Sequence, residues 1–266
     1  MRLYDAHNHL QDARLSSVRA EALRDCRELG VVKMVVNGTE EEDWSTVLRL
    51  AGENREVIPS VGLHPWFVQK RSADWEKRLV ECIDAGRCGI GEIGLDRWIE
   101  GYDPAEQEEA FVVQLRLAAA RNLPVSIHCL KAWGPLVEIL RREQVPACGI
   151  LLHSYGGSAE LVKPLAKLGA YFSCSGYFAH ERKSKQRAVF QEVPLDRLLI
   201  ETDAPDMLPP DALIQKPCTD SEGKAANHPA NIQRIYTFGA ELRGLPVEKF
   251  AERIEENFQR LFGGLA

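Results

Sequence analysis

The sequence predicts a single-domain α/β fold, a (β/α)8 or TIM barrel, that spans residues 1–266. Eight short apolar segments alternate with longer segments of helical period, and the ends of successive apolar segments lie 22 to 36 residues apart. One strand and one helix of such a barrel together occupy about 30 residues. The first strand ends in Asp-Ala-His-Asn-His, whereas a doubly wound open sheet needs a glycine-rich phosphate loop at this point. The barrel is therefore favoured over the open sheet.

The predicted strands are short, and several are almost continuously apolar, as buried parallel strands are. In chain order they are 3–9, 32–37, 57–63, 89–95, 124–128, 149–153, 170–175 and 197–202. A chain of this length is close to the upper limit for one hydrophobic core, so a single barrel can account for all of it.

The segments between the strands carry apolar residues at helical spacing. The clearest is 105–121, where Pro104 stands at the position of a first-turn proline and Phe111, Leu115 and Ala118 repeat on one face. Helices are also predicted at 17–29, 43–54, 73–85, 132–142, 158–168, 181–192, 229–242 and 247–262. The one long irregular connection, 205–227, has a length that is typical of functional or mobile loops.

Composition and charge exclude several classes of protein. The formal net charge of −6 argues against a protein that coats nucleic acid with a basic surface. No apolar run approaches the roughly 18 residues that span a bilayer, and the N-terminus has no secretory signal pattern. The seven cysteines are scattered without a C-x-x-C pair, which predicts reduced thiols. We expect a cytoplasmic protein with no membrane association and no stable protein partner.

Histidines and acidic residues fall at the ends of predicted strands. His7 and His9 lie two residues apart at the end of the first strand, so both side chains project from one face. The ends of the fourth, fifth, sixth and eighth strands carry, in that order, Glu92, His128, His153 and Asp203. The carboxyl ends of barrel strands meet at one mouth, where the catalytic residues of this fold collect. Imidazoles and carboxylates that converge there predict a site for divalent transition metals.

Six segments of the chain match, in order, the signatures of a known family. They are Tyr-Asp-Ala-His-Asn-His-Leu, Val-Gly-Leu-His-Pro, Ile-Gly-Glu-Ile-Gly-Leu-Asp, Leu-Pro-Val-Ser-Ile-His, Leu-Leu-His-Ser-Tyr-Gly-Gly and Leu-Leu-Ile-Glu-Thr-Asp-Ala-Pro. In these segments the sequence resembles the TatD family. Its members are metal-dependent hydrolases of the amidohydrolase-like barrel superfamily, and many act as deoxyribonucleases. The resemblance covers nearly the whole chain, from Tyr4 to about Phe262.

The resemblance implies a centre with two divalent metal ions, Mg²⁺, Mn²⁺ or Zn²⁺. One ion would be held by residues of the first, fourth and eighth strands, namely His7, His9, Glu92 and Asp203. The second would be held by His128 and His153, with Glu92 bridging the two ions. His64, at the end of the third strand, would lie beside the centre and contact the phosphoryl group of the substrate.

The chain departs from the family's pattern in two places. Family members often have a second histidine after His-Pro, where this chain has Trp66. They often have an acidic residue shortly after the strand-five histidine, where this chain reads Cys129, Leu130 and Lys131. Neither change removes a proposed ligand, but both alter the rim of the pocket. Asp96 is expected to support a ligand or cap a loop rather than to bind metal.

The sequence therefore predicts a divalent-metal-dependent hydrolase of phosphodiester bonds whose substrate is nucleic acid, DNA cut at its ends or in single strands. Two ions would lower the pKa of a water, and Asp203 would orient that water and accept its proton as the catalytic residue. Two other functions stay open. The same barrel and ligands hydrolyse a small phosphate ester, an amide or a lactone in related superfamily members. A non-catalytic binding protein is disfavoured by the intact ligand set.

Overall fold

Eight parallel strands follow one another around a barrel, and each is hydrogen-bonded to the next in chain order. The computed structural model describes residues 1–265. The strands are β1 (Leu3–Asn8), β2 (Val31–Asn37), β3 (Val57–Val61), β4 (Gly89–Asp96), β5 (Val125–Leu130), β6 (Ile150–Leu152), β7 (Ala170–Ser175) and β8 (Leu198–Glu201). Every residue of β1, β3, β4, β7 and β8 is buried, as expected for strands covered on both faces. The predicted (β/α)8 barrel is confirmed.

The strands are connected and covered by α-helices. They are α1 (Arg19–Glu28), α2 (Trp44–Glu53), α3 (Trp75–Ala85), α4 (Pro104–Arg121), α5 (Trp133–Arg142), α6 (Ala159–Lys167), α7 (Ser184–Glu192), α8 (Ile232–Arg243) and α9 (Val247–Phe262). The longest, α4, begins as predicted with Pro104 in its first turn, and the side chain of Asp103 accepts hydrogen bonds from the amides of Ala105 and Glu106. These bonds satisfy backbone donors that have no partner within the helix.

The strand bounds differ from the predicted ones at the mouth of the barrel. β1, β3, β6 and β8 end one or two residues earlier than expected, and after β6 and β8 the backbone leaves the extended conformation at Ser154 and Asp203, both of which have a positive φ. Asp203, for example, follows β8 with a φ of 57°. The first residues of the loops after these strands therefore include His9, His64, His153 and Asp203. β4 and β5 run slightly further than expected and keep Glu92 and His128 within strands.

The connection after β8 contains structure that the sequence does not predict. Two-residue strands, β9 (Cys218–Thr219) and β10 (Ala225–Ala226), form an antiparallel hairpin. The side chain of Asn231 accepts the amides of Gln215 and Lys216 at 2.9 Å, and the Lys216 ammonium lies 3.1 Å from the buried carboxylate of Asp25. Strands this short leave no periodicity in the sequence, so the prediction of an irregular stretch at 205–227 was wrong for these residues.

β1 and β8 meet at the seam that closes the barrel. Near the mouth, the amide of Asp203 donates to the carbonyl oxygen of His7 at 2.9 Å. Deeper in the seam, the buried carboxylate of Asp5 accepts the amide of Thr202 at 2.9 Å and its hydroxyl at 2.5 Å. The backbone positions from which the His7 and Asp203 side chains project are therefore fixed relative to each other by hydrogen bonds across the seam.

The start of the seam is completed by a tyrosine from α8. The hydroxyl of Tyr236 accepts the amide of Tyr4 and donates to its carbonyl oxygen, both at 3.0 Å. These two bonds replace part of the backbone ladder that a neighbouring strand would provide. The ring of Tyr4 packs against Phe258 of α9 with centroids 4.8 Å apart, which joins the first strand to the last long helix.

Among residues 1–265, no helix has both the length and the apolar character needed to cross a bilayer. All seven cysteines are free thiols, in agreement with the prediction. They are buried or half-buried, as small apolar side chains in or beside the core usually are.

Gly94 allows β4 to approach β5 closely, and we predict that alanine there destabilises the barrel. Gly94 has a φ of 147°, and a Cβ atom would overlap the carbonyl oxygen of His128 on the paired strand. We expect Gly94→Ala to lower the free energy of unfolding by about 3 kcal/mol or more. Urea denaturation of the variant and of the wild type measures this difference in the free energy of unfolding. Gly52→Ala in α2, where no atom lies within 4 Å, is the control, with an expected gain of about 0.5–1 kcal/mol. Equal stability of the two variants would contradict the packing argument.

Candidate metal centre

The predicted site residues converge at the barrel mouth around one carboxylate, that of Glu92. Glu92 is 2% exposed, and its two oxygens face different imidazoles. Oε2 lies 3.4 Å from Nε2 of His7 and 3.2 Å from Nε2 of His9. Oε1 lies 2.8 Å from Nε2 of His153 and 3.1 Å from Nδ1 of His128. Residues that are distant in sequence therefore meet at one buried point.

Asp203 lies on the side of Glu92 that contains His7 and His9. Its Oδ1 is 3.6 Å from Nε2 of both histidines. The first ligand group consists of His7, His9, Asp203 and Oε2 of Glu92, and the second ligand group consists of His128, His153 and Oε1 of Glu92.

The two ligand groups are in contact with each other. The ring of His7 stacks on that of His153, with centroids 4.0 Å apart and planes inclined by 12°. Three sets of donor atoms lie within 4.8 Å of one another, those of His7, His153 and Asp203, of His7, His9 and Glu92, and of His64, Glu92 and His128. The structure thus brings all six predicted ligands and His64 into one continuous cluster.

Hydrogen bonds behind two of the rings determine which ring nitrogen carries the proton. Nδ1 of His9 lies 2.8 Å from the carbonyl oxygen of Asn37, and Nε2 of His128 lies 3.0 Å from Oδ2 of Asp96. A carbonyl and an ionised carboxylate can only accept, so these nitrogens carry protons. In the neutral rings, the opposite nitrogens then direct lone pairs at the Glu92 carboxylate. Such atoms repel one another unless a proton or a metal cation lies between them. Burial acts to lower the pKa of His9, but the Glu92 carboxylate raises it to about 10, and a divalent metal ion can take the place of such a proton in this donor set.

Burial and charge oppose each other in this cluster. Burial acts to raise the pKa of Glu92, but the imidazoles of His153, His64 and His128 hold that pKa well below its usual range. Burial raises the pKa of Asp203, although neighbouring imidazoles counteract the shift. The centre thus contains one firmly ionised carboxylate and one carboxylate with a greater affinity for a proton.

His64 is oriented differently from the histidines of the two ligand groups. Its Nδ1 accepts the backbone amide of Trp66 at 3.2 Å, so the neutral ring carries its proton on Nε2, which lies 3.3 Å from Oε1 of Glu92. Burial lowers the pKa of His64 to about 4, despite the attraction of Glu92. The ring is therefore neutral near pH 7 and directs a hydrogen-bond donor into the cluster.

Asp96 supports a ligand and caps a loop, as the sequence predicts. Its Oδ2 faces His128, and its Oδ1 accepts the backbone amides of Trp98 and Ile99 at 2.7 and 3.2 Å. Burial acts to raise the pKa of Asp96, but hydrogen bonds from His128, Trp66 and the loop amides lower it to about 2. Asp96 is therefore ionised and acts on the second ligand group only through His128.

Two residues behind the ligands are not predicted from the sequence. The carbonyl oxygen of Asn37 orients His9, and a backbone group leaves no signal in the sequence. Glu201 lies behind His153, with 3.9 Å between its Oε1 and Nδ1 of the ring. It precedes Asp203 by two residues, so strand alternation could have placed both side chains on one side of β8. Ser173 donates to Oε2 of Glu201 at 2.5 Å.

Comparison with known proteins places this site in a family. A family model described as TatD related DNase matches residues 4–263. The chain belongs to the TatD-related DNase family. As a member of it, the chain is a metal-dependent hydrolase, which confirms the family resemblance and the enzyme class predicted from the sequence.

Individual relatives of this TatD-family chain match it over almost its full length. An uncharacterized metal-dependent hydrolase, YjjV of Escherichia coli K12, is 31% identical over 266 residues, which cover 98% of each chain. The 3'-5' ssDNA/RNA exonuclease TatD of the same strain is 30% identical over 263 residues, which cover 98% of this chain and 99% of the relative. The crystal structure of the E. coli YjjV protein superposes with a TM-score of 0.89 at 29% identity and 98% coverage of both chains.

A more distant structure shows the fold alone. The TatD-family hydrolase of Entamoeba histolytica has a TM-score of 0.85 at 18% identity and covers 98% of both chains. This TatD-family chain and the E. histolytica protein therefore share the barrel fold although their sequence identity is low.

We predict that Glu92→Gln weakens metal binding by the whole cluster. The amide keeps the size of the side chain but removes the negative charge that both sets of imidazoles face. Loss of groups that only orient metal ligands costs about 10–100-fold in affinity, so for Glu92 we expect at least the upper end, about 100-fold. This affinity is measured by first removing metal from the protein with a chelator and then titrating it with Zn²⁺ in competition with a chromogenic chelator. Glu160→Gln makes the same change at an exposed position of α6 and should bind as the wild type does. Wild-type affinity in Glu92→Gln would exclude this cluster as the metal site.

Proposed function

We propose that this chain hydrolyses phosphodiester bonds of nucleic acid, at DNA ends or in single strands, with two divalent metal ions. The observation that carries the proposal is the position of Glu92, whose two carboxylate oxygens each face a different group of histidines. One carboxylate shared in this way can bridge two cations. Paired cations are a common means of stabilising both the attacking and the leaving oxygen of a phosphodiester.

In this proposal the first ligand group would hold one ion and the second ligand group would hold the other. When bound, the ions supply positive charge that lowers the pKa of a water and offsets charge that develops on the phosphoryl oxygens. The protein contributes a rigid frame for that charge. His9 is held by the Asn37 carbonyl and His128 by Asp96, so the rings need little reorganisation when the substrate arrives.

Asp203 is proposed to orient the attacking water and accept its proton. Its Oδ1 lies at 3.6 Å from both His7 and His9, and it stands at the mouth, directly after β8. A carboxylate in this position can contact an ion with one oxygen and a water with the other. Removal of a general base typically costs about 10²–10⁴-fold in rate.

His64 is proposed to bind the phosphoryl group of the substrate. Because the Trp66 amide occupies Nδ1, the free proton of the neutral ring lies on Nε2. That proton currently points at Oε1 of Glu92. A non-bridging phosphoryl oxygen at the centre could accept the same proton. His64 would then hold the substrate by donation rather than by charge.

The burial of the centre and the charge of the chain support single strands and ends as substrate. His9, His153 and Asp203 are each less than one-tenth exposed, so the scissile phosphate must enter the mouth. An intact duplex would have to be held by several Lys and Arg contacts along a surface, and the chain carries a net charge of −6. The name of the E. coli relative, a 3'-5' ssDNA/RNA exonuclease, points to the same substrate class. Cytoplasmic location and the lack of a stable protein partner stay predictions.

We predict that Asp203→Asn reduces turnover far more than it reduces metal content. The amide keeps an oxygen near the ligands but cannot accept a proton, so we expect kcat to fall by about 10²–10⁴-fold. Steady-state kinetics and elemental analysis of the same preparation measure the two effects. The control is Asp206→Asn, since Asp206 is exposed and pairs with Arg14, and it should retain wild-type turnover. A parallel loss of metal and activity would show that Asp203 is a ligand only.

The substrate class can be decided by a panel with a closed circular duplex, a linear duplex and a single-stranded oligonucleotide. We expect the oligonucleotide to be cut fastest and the circle to resist, because the buried centre admits a frayed strand more readily than a continuous helix. Mg²⁺, Mn²⁺ or Zn²⁺ is added after chelation, and RNA and generic phosphate esters are included. Equal rates on the circle and the ends would contradict the proposal. Hydrolysis of the small esters alone would favour a small-ester hydrolase.

A further inference from the structure

Trp66 and His128 share one oxygen of Asp96. The indole nitrogen of Trp66 donates to Oδ2 at 2.7 Å, and Nε2 of His128 lies 3.0 Å from the same atom. Asp96 is fully buried, whereas Trp66 is 47% exposed at the rim of the mouth. A rim residue from the loop after β3 is therefore connected, through one carboxylate at the end of β4, to a side chain of the second ligand group.

The other atoms of Asp96 are already fixed by neighbouring groups. Its Oδ1 accepts the amides of Trp98 and Ile99. Its own amide donates to the side chain of Gln107, whose Nε2 donates to the Asp96 carbonyl oxygen, both at 3.0 Å. Oδ2 is left with two side-chain donors, Trp66 and His128.

The orientation of Oδ2 controls what His128 offers to a cation. An accepting Oδ2 keeps the proton of His128 on Nε2 and leaves the lone pair of Nδ1 directed at Oε1 of Glu92, 3.1 Å away. The carboxylate is planar, so any rotation would move Oδ1 and Oδ2 together and carry His128 with it. The loop amides oppose that rotation at Oδ1, and Trp66, from the neighbouring loop after β3, opposes it at Oδ2.

We propose that Trp66 is a positioning residue for the second ligand group and sets its affinity for metal through Asp96 and His128. This inference rests on the proposed function, in which His128 binds the second ion. It also gives a physical meaning to one departure from the TatD pattern. Where family members often carry a histidine, this chain places an indole whose N–H donates to Asp96 and whose ring is exposed at the rim.

The test compares the Zn²⁺ affinities of three variants. Each variant is freed of metal with a chelator and then titrated with Zn²⁺ in competition with a chromogenic chelator. Trp66→Phe keeps a ring but removes the N–H donor, and we expect it to weaken the affinity for one of two Zn²⁺ equivalents by about 10–100-fold. Trp66→His restores an N–H donor of similar reach and should recover most of that affinity. Trp98→Phe is the matched control. Its indole is also exposed at the rim, and only its backbone amide contacts Asp96, so both affinities should remain unchanged.

Kinetics separate positioning from direct contact with the substrate. A positioning role predicts that Trp66→Phe loses kcat at limiting metal and regains it when metal is saturating. A raised KM at saturating metal, together with wild-type Zn²⁺ affinity, would assign Trp66 to substrate contact and overturn the inference. Equal losses in Trp66→Phe and Trp98→Phe would overturn it as well. If Trp66→Phe fails to fold in a thermal melt, Trp66→His decides, because weakened Zn²⁺ binding there overturns the inference and wild-type binding supports it.

Failure of the proposed function gives a different result. A wild-type protein that binds one Zn²⁺ equivalent contradicts the two-ion proposal, and one that binds two but cuts no substrate of the panel contradicts the nuclease proposal. In both cases the effect of Trp66→Phe on the bound metal still decides the inference. Weakened binding supports it, and unchanged binding overturns it.

Discussion

The architecture of the mouth depends on one buried negative charge, the carboxylate of Glu92. A buried ion costs several kcal/mol unless opposite charge and hydrogen bonds surround it. Here the surroundings come from strands that are far apart in sequence, with imidazoles of His7 and His9 at one oxygen and of His128 and His153 at the other. A cluster with this demand for positive charge is suited to cations, and the barrel supplies the rigid walls that keep it from collapsing.

Three of the predicted ligands are held in place by groups behind them. His9 is held by the carbonyl of Asn37, His128 by Asp96, and the backbone of Asp203 by the seam with β1. Each partner belongs to a strand or directly follows one, so the ordering of the centre was accomplished when the barrel folded. Because these side chains are already ordered, the binding energy of a substrate is available to orient the substrate itself.

Much of this site could be predicted from the sequence because the carboxyl ends of barrel strands, although distant in sequence, lie close together at one mouth of the barrel. The positions of the six ligand candidates follow from that rule once the eight strands are recognised. The hydrogen bond from Trp66 to Asp96 could not be predicted, since it depends on the rotamers of two side chains on different loops. The contribution of Asn37 is a backbone atom without a sequence signal, and the β9–β10 hairpin is too short to have a period.

The seam between β1 and β8 has a consequence for the order of events during synthesis. His7 and His9 leave the ribosome long before β8, the strand that completes the seam beside them, which ends at Glu201 and is followed by Asp203. Until then the carboxylate of Asp5 lacks the amide and hydroxyl of Thr202 that it accepts in the folded protein. Contacts between such distant parts of a chain form late in folding. A nascent chain therefore carries His7 and His9 unassembled until β8 has emerged, and a fragment that stops before residue 198 lacks both the seam and one acid of the centre.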